Sequence, residues 1–414
     1  MNRTHIAFFG RRNAGKSSLV NAVTGQSSSI VSDVKGTTTD PVYKPMELLP
    51  LGPVVIIDTP GFDDEGELGE MRIERVQQVL NKTDIAVLVL DGEFQNSPPL
   101  PAEEELLVLF KAKNIPCIIT LNKIDKDNLP QSSRSSTEEE KEISLKLCET
   151  LCPPWLKENS EIIPVSAKTG FNIDLLKEKI ASIALDSEHK QRLTTGLVQP
   201  DDLVILVIPI DKAAPKGRLI LPQQQTIRDI LDSGASALAV RDSELKKILN
   251  SIGKKPALVI TDSQVFKEAA AVVPQEIPLT SFSILFARFK GFLNTAVKGA
   301  AALDNLSSQD KILICEGCTH HRQCDDIGTV KIPNLIKKYS SAQPHFEFVS
   351  GGDFPKELSI YKLIIHCGSC MLNEREMQYR RDLAGEQNIP FTNYGITLAH
   401  LSGILKRSIA VFST

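Results

Sequence analysis

The 414-residue chain is poor in aromatic residues, which make up 5% of it, and it has a single Trp. That scarcity argues against platforms on which nucleic-acid bases stack. Excess charge is also lacking. The net charge is −4, so no general attraction to a polyanion is implied and no nucleic-acid partner is expected. No apolar run approaches the roughly 18 residues of a membrane-crossing helix, and no membrane association is expected. The opening "MNRTHIAFFGRR" lacks the long apolar core and cleavage site of a signal peptide and reads as a strand entering a loop. Eight cysteines are too few for a disulfide scaffold in so long a chain. Length allows about two to four domains.

What is present begins at "HIAFFG", a short apolar strand. It runs into "GRRNAGKSS" and then into the helical "SSLVNAVTG". Strand, glycine loop and helix are the context of a phosphate-binding loop. Gly10 and Gly15 let the backbone curl so that its N–H groups, with Ser18 at the helix start, face phosphates. Lys16 reaches the β- and γ-phosphates, and Ser17 offers a hydroxyl to Mg²⁺. "VVIIDTPGF" is a buried strand ending at Asp58, a Mg²⁺ partner through water, with Gly61 placed to meet the γ-phosphate. "GTTTD" lies between these motifs, and Thr38, with Thr37 second, is the candidate for a second hydroxyl on Mg²⁺. "IITLNKID" supplies Asn122 and Asp125, an amide and a carboxylate that select guanine, and the Lys123 stem can lie over the sugar. "IIPVSAKTG" ends in Ser166, Ala167 and Lys168, whose backbone can contact the base.

Five motifs in order, each after a strand, make guanine-nucleotide binding the expectation. The set resembles the small GTP-binding domains of the Era and TrmE group, over residues 5 to about 180. The residue after "DTPG" is Phe62, which cannot orient a water as a Gln does, so unaided hydrolysis should be slow. Asn13 resembles the asparagine that holds potassium in TrmE-like enzymes. K⁺ there would neutralise transition-state charge. Otherwise Asn13 only shapes the loop.

"LTTGLVQPDD" reads as a linker. "LVILVIPI", "SALAV" and "PALVIT" then alternate with helical stretches, and Asp242 is a candidate helix cap. A unit of this size hides both sheet faces poorly. Pairing with a second copy, a homodimer, is one consequence, and burial against neighbouring domains is the other. A long helical pattern, "SFSILFARFKGFLNTAVKGAAALDNL", leads into alternating strands and helices: "KILIC", "IPNLIKKYSS", "HFEFVS", "YKLIIHC", "EREMQYRRDLAGEQ" and "PFTNYG". That alternation predicts a parallel sheet covered by helices. The expectation is therefore α/β throughout: an N-terminal P-loop GTPase domain over 1–182, a small α/β dimerisation domain over 195–262, and a C-terminal parallel-sheet α/β metal-cluster domain over 263–414.

Five of the cysteines, Cys315, Cys318, Cys324, Cys367 and Cys370, fall in two C-terminal clusters, "CEGCTHH" and "HCGSC". In a cytoplasmic protein, the expected setting, such clusters suggest metal or redox chemistry. Cys117 reads as core, and Cys148 and Cys152 as helix packing. Both clusters follow the carboxyl ends of strands, where open parallel sheets bind ligands. Cys318, His320, Cys367 and Cys370 can thus converge, and such a set suits zinc or an iron–sulfur cluster. A four-cysteine zinc site using Cys315 is a further possibility.

"CTHH…CDDIGTVKIP" with "HCGSCM", together with "PID…APKGRLILP" and "IPLTSFSILFARFKG", resembles the maturation GTPases of FeFe-hydrogenases, the HydF family. The resemblance spans essentially the whole chain. It implies a 4Fe–4S cluster on Cys318, Cys367 and Cys370, with His320 as a labile fourth ligand. It implies a transient di-iron subcluster as cargo, two radical-SAM maturases and apo-hydrogenase as partners, and a homodimer formed through the middle domain. His321 and His366 are expected beside the ligands rather than among them. The competing reading is a ribosome- or RNA-associated GTPase with a structural zinc domain. A radical-SAM enzyme is disfavoured because no C-x-x-x-C-x-x-C run is present.

Overall fold

The structure is a computed structural model. It describes residues 3–25, 40–61, 75–92, 101–124, 162–187, 192–210, 219–317, 326–369 and 372–412. The chain divides into two compact units, Met1–Lys190 and Gln191–Thr414.

The first unit is built on a six-stranded sheet. Its strands are β1 (Thr4–Phe9), β2 (Val42–Leu48), β3 (Gly52–Asp58), β4 (Ile85–Asp91), β5 (Cys117–Asn122) and β6 (Ile162–Pro164), in the order β2-β3-β1-β4-β5-β6. All neighbours run parallel except β2 with β3. The central strands are apolar on both faces because both faces are covered. Ala7, Phe9, Ile57 and Leu88 meet Val76, Leu80 and the helix Pro101–Ala112 (α2) on one side. Ile6, Phe8, Ile56 and Val87 meet α1 (Lys16–Thr24) and α3 (Ile173–Ser187) on the other. Strand β2 was not anticipated. Its residues alternate between exposed and half-buried and it contains Pro45, a combination tolerated at a sheet edge and weak as a strand signal.

The second unit holds two four-stranded parallel sheets. The first has β7 (Leu203–Val207), β8 (Ser236–Val240), β9 (Leu258–Thr261) and β10 (Leu279–Ser281) in the order β10-β9-β7-β8. Helices α4 (Leu221–Asp232), α5 (Leu245–Ser251) and α6 (Phe266–Val272) connect these strands in turn. The second sheet has β11 (Lys311–Glu316), β12 (His345–Ser350), β13 (Leu363–His366) and β14 (Phe391–Asn393) in the order β12-β11-β13-β14. The parallel sheet expected for the C-terminal third is present.

One expectation about the middle segment changes. Its sheet takes β10 from beyond residue 262, so the element boundary lies later than anticipated. Its central strands are also covered on both faces within the unit, whereas the edge strand β8 keeps Ser236 and Ala239 exposed and Ala237 and Leu238 half-buried. Ile205, Val207 and Val259 share one continuous core with Ile312, Leu313, Ile314 and Ile364. Val204, Leu206, Leu258 and Ile260 pack with Ile230, Leu285 and Phe286. Burial against the neighbouring elements thus accounts for the central strands.

The long helical run before β11 is divided. Helix α7 (Phe282–Phe289) ends with Lys290 as its C-cap, Gly291 turns left-handed at φ 73°, and α8 (Leu293–Ala300) restarts the chain. A glycine just past a helix end takes a conformation that side chains resist. In the second sheet, α9 (Ile332–Ser340) joins β11 to β12, and α10 (Glu374–Glu386) joins β13 to β14. Asp242 is not the expected cap. It lies inside a 3₁₀ turn whose cap position is Arg241.

Candidate functional site

At the carboxyl end of the first sheet, the loop after β1 is shaped by glycines. Gly10 has φ 154°, and a Cβ there would stand 2.4 Å from the Val89 carbonyl oxygen. Gly15 has φ 85° and caps α1, and a Cβ there would meet Asn122 Nδ2 at 2.2 Å. Asn13 is also left-handed, at φ 64°. Lys16 is buried, and its ammonium donates to the carbonyls of Gly10 at 2.7 Å and Arg11 at 2.6 Å. It is thus held across the mouth of the loop. Ser17 and Ser18 follow on the exposed face of the first helical turn.

Asp58 sits at the end of β3, in register with Phe8 of β1. Burial pushes its carboxyl above the ordinary range, while a hydrogen bond from Ser17 and the charges of Lys16 and Lys44 oppose that rise. Its Oδ1 is buried without a hydrogen-bond partner. A buried carboxylate oxygen left open beside a serine hydroxyl is the kind of hard oxygen pair that Mg²⁺ takes, so the residues fit that ion. Gly61 is half-buried just beyond Thr59, whose hydroxyl donates to the Phe8 carbonyl at 2.7 Å.

Asn122 joins three segments. Its Nδ2 donates to the Ala14 carbonyl at 3.0 Å, and its Oδ1 accepts from Ala167 N–H at 3.1 Å. The phosphate loop, the end of β5 and the Ser166-Ala167-Lys168 loop are therefore tied by one side chain. Ser166 is buried and its Oγ accepts from Thr169 N–H at 3.2 Å, whereas Lys168 is exposed. Lys123, at φ 69°, pairs with Asp91 at 2.5 Å. Thr37, Thr38, Phe62 and Asp125 lie outside the described residues. Sequence reasoning missed one contact here. Arg11 of the loop pairs at 2.6 Å with Glu103 of α2, a carboxylate 2% exposed. Their separation of 92 residues leaves no local signal.

In the second unit, β11 and β13 are parallel neighbours, so the chain leaves both at the same sheet edge. Cys367 follows β13, and its N–H donates to the Cys315 carbonyl at 2.8 Å. Its sulfur accepts from Gly317 N–H at 3.1 Å and from Ser369 N–H at 3.4 Å. Gly317 immediately precedes Cys318 in sequence, so the segments carrying the two cysteine clusters meet at this sulfur. N–H groups aimed at a sulfur are the hydrogen bonds that a sulfur bound to iron or zinc accepts, so Cys367 fits a ligand to either metal. Cys318, His320, His321, Cys324 and Cys370 lie outside the described residues, as do Cys148 and Cys152.

The neighbours of Cys367 have other duties. Cys315 is fully buried and its thiol is pushed up by that burial, which keeps it neutral. Burial, then the Arg380 charge, pushes His366 down to about 3. Arg380 only donates hydrogen bonds, so the 3.0 Å contact of its Nη1 with His366 Nε2 makes that nitrogen the acceptor. Nδ1 then carries the proton and faces the Cys367 carbonyl at 3.1 Å and Ser369 Oγ at 3.0 Å. His366 is thus a brace for the loop. Arg380, 1% exposed, is itself held by Glu376 at 2.8 Å and donates to the Gly351 carbonyl at 2.7 Å. A cavity of about 180 Å³ opens beside Gly368, lined by Asp262, Ser263, Ser283, Phe286 and Tyr394 among others.

Fold and site together define a P-loop GTPase domain that precedes a unit of two parallel α/β sheets. Family comparison agrees along the chain. A 50S ribosome-binding GTPase model matches residues 5–123. The hydrogen maturase F dimerization domain matches 193–291 and the hydrogen maturase F tetramerization domain matches 294–411. The chain belongs to the hydrogen maturase F (HydF) family.

Among curated proteins, GTPase Der of Wolinella succinogenes is 36% identical over 196 residues, covering 47% of this chain and 38% of that protein. The tRNA modification GTPase MnmE of Thermus thermophilus is 30% identical over 220 residues, covering 49% and 42% respectively. The chain thus spans about two fifths of the length of these relatives. Among solved structures, a point variant of Aquifex aeolicus Era bound to GDP.AlF4- aligns with a TM-score of 0.35 at 23% identity, over 58% of this chain and 93% of that one.

Proposed function

We propose that the chain is a GTP-hydrolysing scaffold and carrier in the maturation of FeFe-hydrogenase. Its first unit binds GTP or GDP with Mg²⁺. Gly10 to Ser18 cradle the phosphates, Lys16 neutralises the terminal ones, and Ser17, Thr38 and Asp58 hold the ion, directly or through water. Gly61 N–H meets the γ-phosphate. Asn122 and Asp125 select guanine, with the Ser166–Lys168 backbone behind the base. Mg²⁺ held there would neutralise phosphate charge. Asn13 would hold a potassium ion whose charge neutralises the transition state in place of an arginine finger.

The second unit holds a 4Fe–4S cluster on Cys318, Cys367 and Cys370. His320 completes the set as a fourth, exchangeable ligand. Such a cluster offers one iron with a replaceable ligand. The cargo is a di-iron precursor assembled with two radical-SAM maturases and passed on to apo-hydrogenase. Nucleotide state acts as a timer on partner affinity. The chain works as an oligomer, a homodimer through the middle domain, in the cytoplasm, and the C-terminal match points to a further level of assembly.

One observation carries this reading: the N–H of Gly317, the residue before Cys318, rests on the Cys367 sulfur. It draws support from the family membership and from a donor set rich in thiolate. Anaerobic reconstitution followed by electron paramagnetic resonance tests it. The native chain should take up about four irons and become brown. Cys367→Ala should take up none, and His320→Ala should keep most of its iron with an altered signal. A colourless protein holding zinc at full occupancy would overturn the cluster assignment.

A further inference from the structure

The two sheets of the second unit repeat one another. The first runs β10-β9-β7-β8 and the second β14-β13-β11-β12, so strands of the same rank along the chain hold the same places. The registers match as well. Val207 faces Thr261, which faces Ser281, and Cys315 faces His366, which faces Asn393. Asp262 N–H donates to the Val207 carbonyl at 3.1 Å, as Cys367 N–H does to that of Cys315. Ser281 caps α7 by accepting from Ile284 N–H, and Asn393 caps α11 (Tyr394–Leu401) by accepting from Ile396 N–H. A left-handed glycine follows each helix, Gly291 at φ 73° and Gly403 at φ 71°. Ser263 thus holds the place of Gly368, and Phe282, Ser283 and Phe286 hold those of Tyr394, Gly395 and Leu398. The copies meet through such counterparts. Gly395 N–H donates to Ser283 Oγ at 3.3 Å, and a Cβ on Gly395 would stand 2.6 Å from that of Ser283. Equivalent positions in contact are what a local twofold axis produces.

The cavity of about 180 Å³ lies at this joint, and its walls include Ser263 with Gly368, Phe282 with Tyr394, and Phe286 with Leu398. The carboxyl ends of strands from both sheets open onto it, the place where parallel sheets bind ligands. We propose that this cavity binds a small neutral molecule, apolar over most of its surface and carrying one hydroxyl or carbonyl oxygen. Its volume suits a benzene-sized body, since an apolar cavity of about 150 Å³ takes up benzene. None of the lining residues is Lys or Arg, so an anion would enter without a counter-charge. Among the described residues the Ser263 hydroxyl makes no hydrogen bond, and the Ser283 hydroxyl only accepts one. Two O–H donors therefore remain for a ligand oxygen. No metal enters this proposal, and it stands apart from the cluster reading.

Phenol is the probe, with benzene and benzoate as comparisons. Each is titrated by calorimetry into the full-length chain saturated with GDP, so that the nucleotide site is occupied. Phenol should bind saturably and more tightly than benzene, and benzoate should not bind. Gly368→Ala and Gly368→Val put carbon into the cavity, because a Cβ there meets only Ser283 Oγ, at 3.8 Å. Either should weaken phenol at least about tenfold, so one serves if the other does not fold. Ser263→Ala should weaken phenol about fivefold, the worth of one hydrogen bond, and leave benzene unchanged. Phenol uptake that rises without saturating would overturn the proposal, as would binding that neither folded Gly368 variant moves. An equal loss of phenol and benzene in Ser263→Ala would overturn it too, since the ligand oxygen would then make no hydrogen bond there.

Discussion

Gly15 shows how much one missing side chain matters in the phosphate loop. Its φ of 85° and the 2.2 Å approach of Asn122 Nδ2 to any added Cβ leave no room for alanine. Asn122 cannot simply swing away, because it holds Ala14 and Ala167 together. Gly15→Ala should weaken GDP binding at least about tenfold, ~1.4 kcal/mol, in a fluorescent-nucleotide titration, while far-ultraviolet circular dichroism stays unchanged. Asn13 makes a second claim at this scale. It is held left-handed on an exposed part of the loop. GTP turnover should be faster in potassium than in sodium at equal ionic strength, and Asn13→Ala should remove that difference. Equal wild-type rates in the two salts would remove the ion from Asn13. These residues were legible because a motif fixes their spacing along the chain. The Arg11–Glu103 and Arg380–His366 contacts were not, because each partner alone looks like an ordinary surface charge or a spare imidazole. Only folding reveals that Glu103, Arg380 and His366 are buried.

Strands with near-continuous apolar sequence, such as "VVIID" and "KILIC", were readable because a parallel sheet covered on both faces needs such runs. Elements that depend on neighbours were harder to read. β10 is three residues long, Leu279–Ser281, and runs straight into α7, so its pattern is swallowed by the helix that follows. The division of the long helix was encoded in Gly291, but a lone glycine within an apolar run also reads as a tolerated helical residue. Helix α8 carries a sharper requirement. At Gly299 a Cβ would meet the Phe391 carbonyl oxygen at 2.2 Å and carbon at 2.6 Å, because the helix lies directly on the backbone of β14. Backbone cannot give way as a flexible side chain does. Gly299→Ala should destabilise the second unit by about 1–3 kcal/mol, the usual cost of overpacking, read as a lower midpoint in urea. Gly385, inside α10, has nothing within 4 Å of a built Cβ. Gly385→Ala should therefore stabilise by roughly 0.5–1 kcal/mol through helix propensity alone. The same substitution in two helices of one unit should thus move stability in opposite directions. A loss at both sites would mean that close backbone approach is not what distinguishes them.

The guanine-nucleotide residues and the cysteine loop fall in different compact units, with the break near residue 190. Within the second unit the two sheets share a single apolar core, so a change at one sheet is felt at the other. The shared core also covers the central strands of the middle sheet. The covering elements come from later in its own chain, and a count of residues within the segment could not show them. It also separates two kinds of damage. Lys16 holds its own loop through the Gly10 and Arg11 carbonyls, and both contacts lie inside the first unit. Lys16→Ala should lower GTP hydrolysis at least about a hundredfold, on the scale of losing a preorganised charge in a transition state. Iron uptake on reconstitution should stay near the wild-type level, because Cys367, Gly317 and Ser369 keep their contacts. Phosphate release and iron content measured on one preparation decide the matter. If the variant loses its iron together with its hydrolysis, the nucleotide loop is needed to build the cysteine site, and the two units are coupled in folding rather than through bound nucleotide.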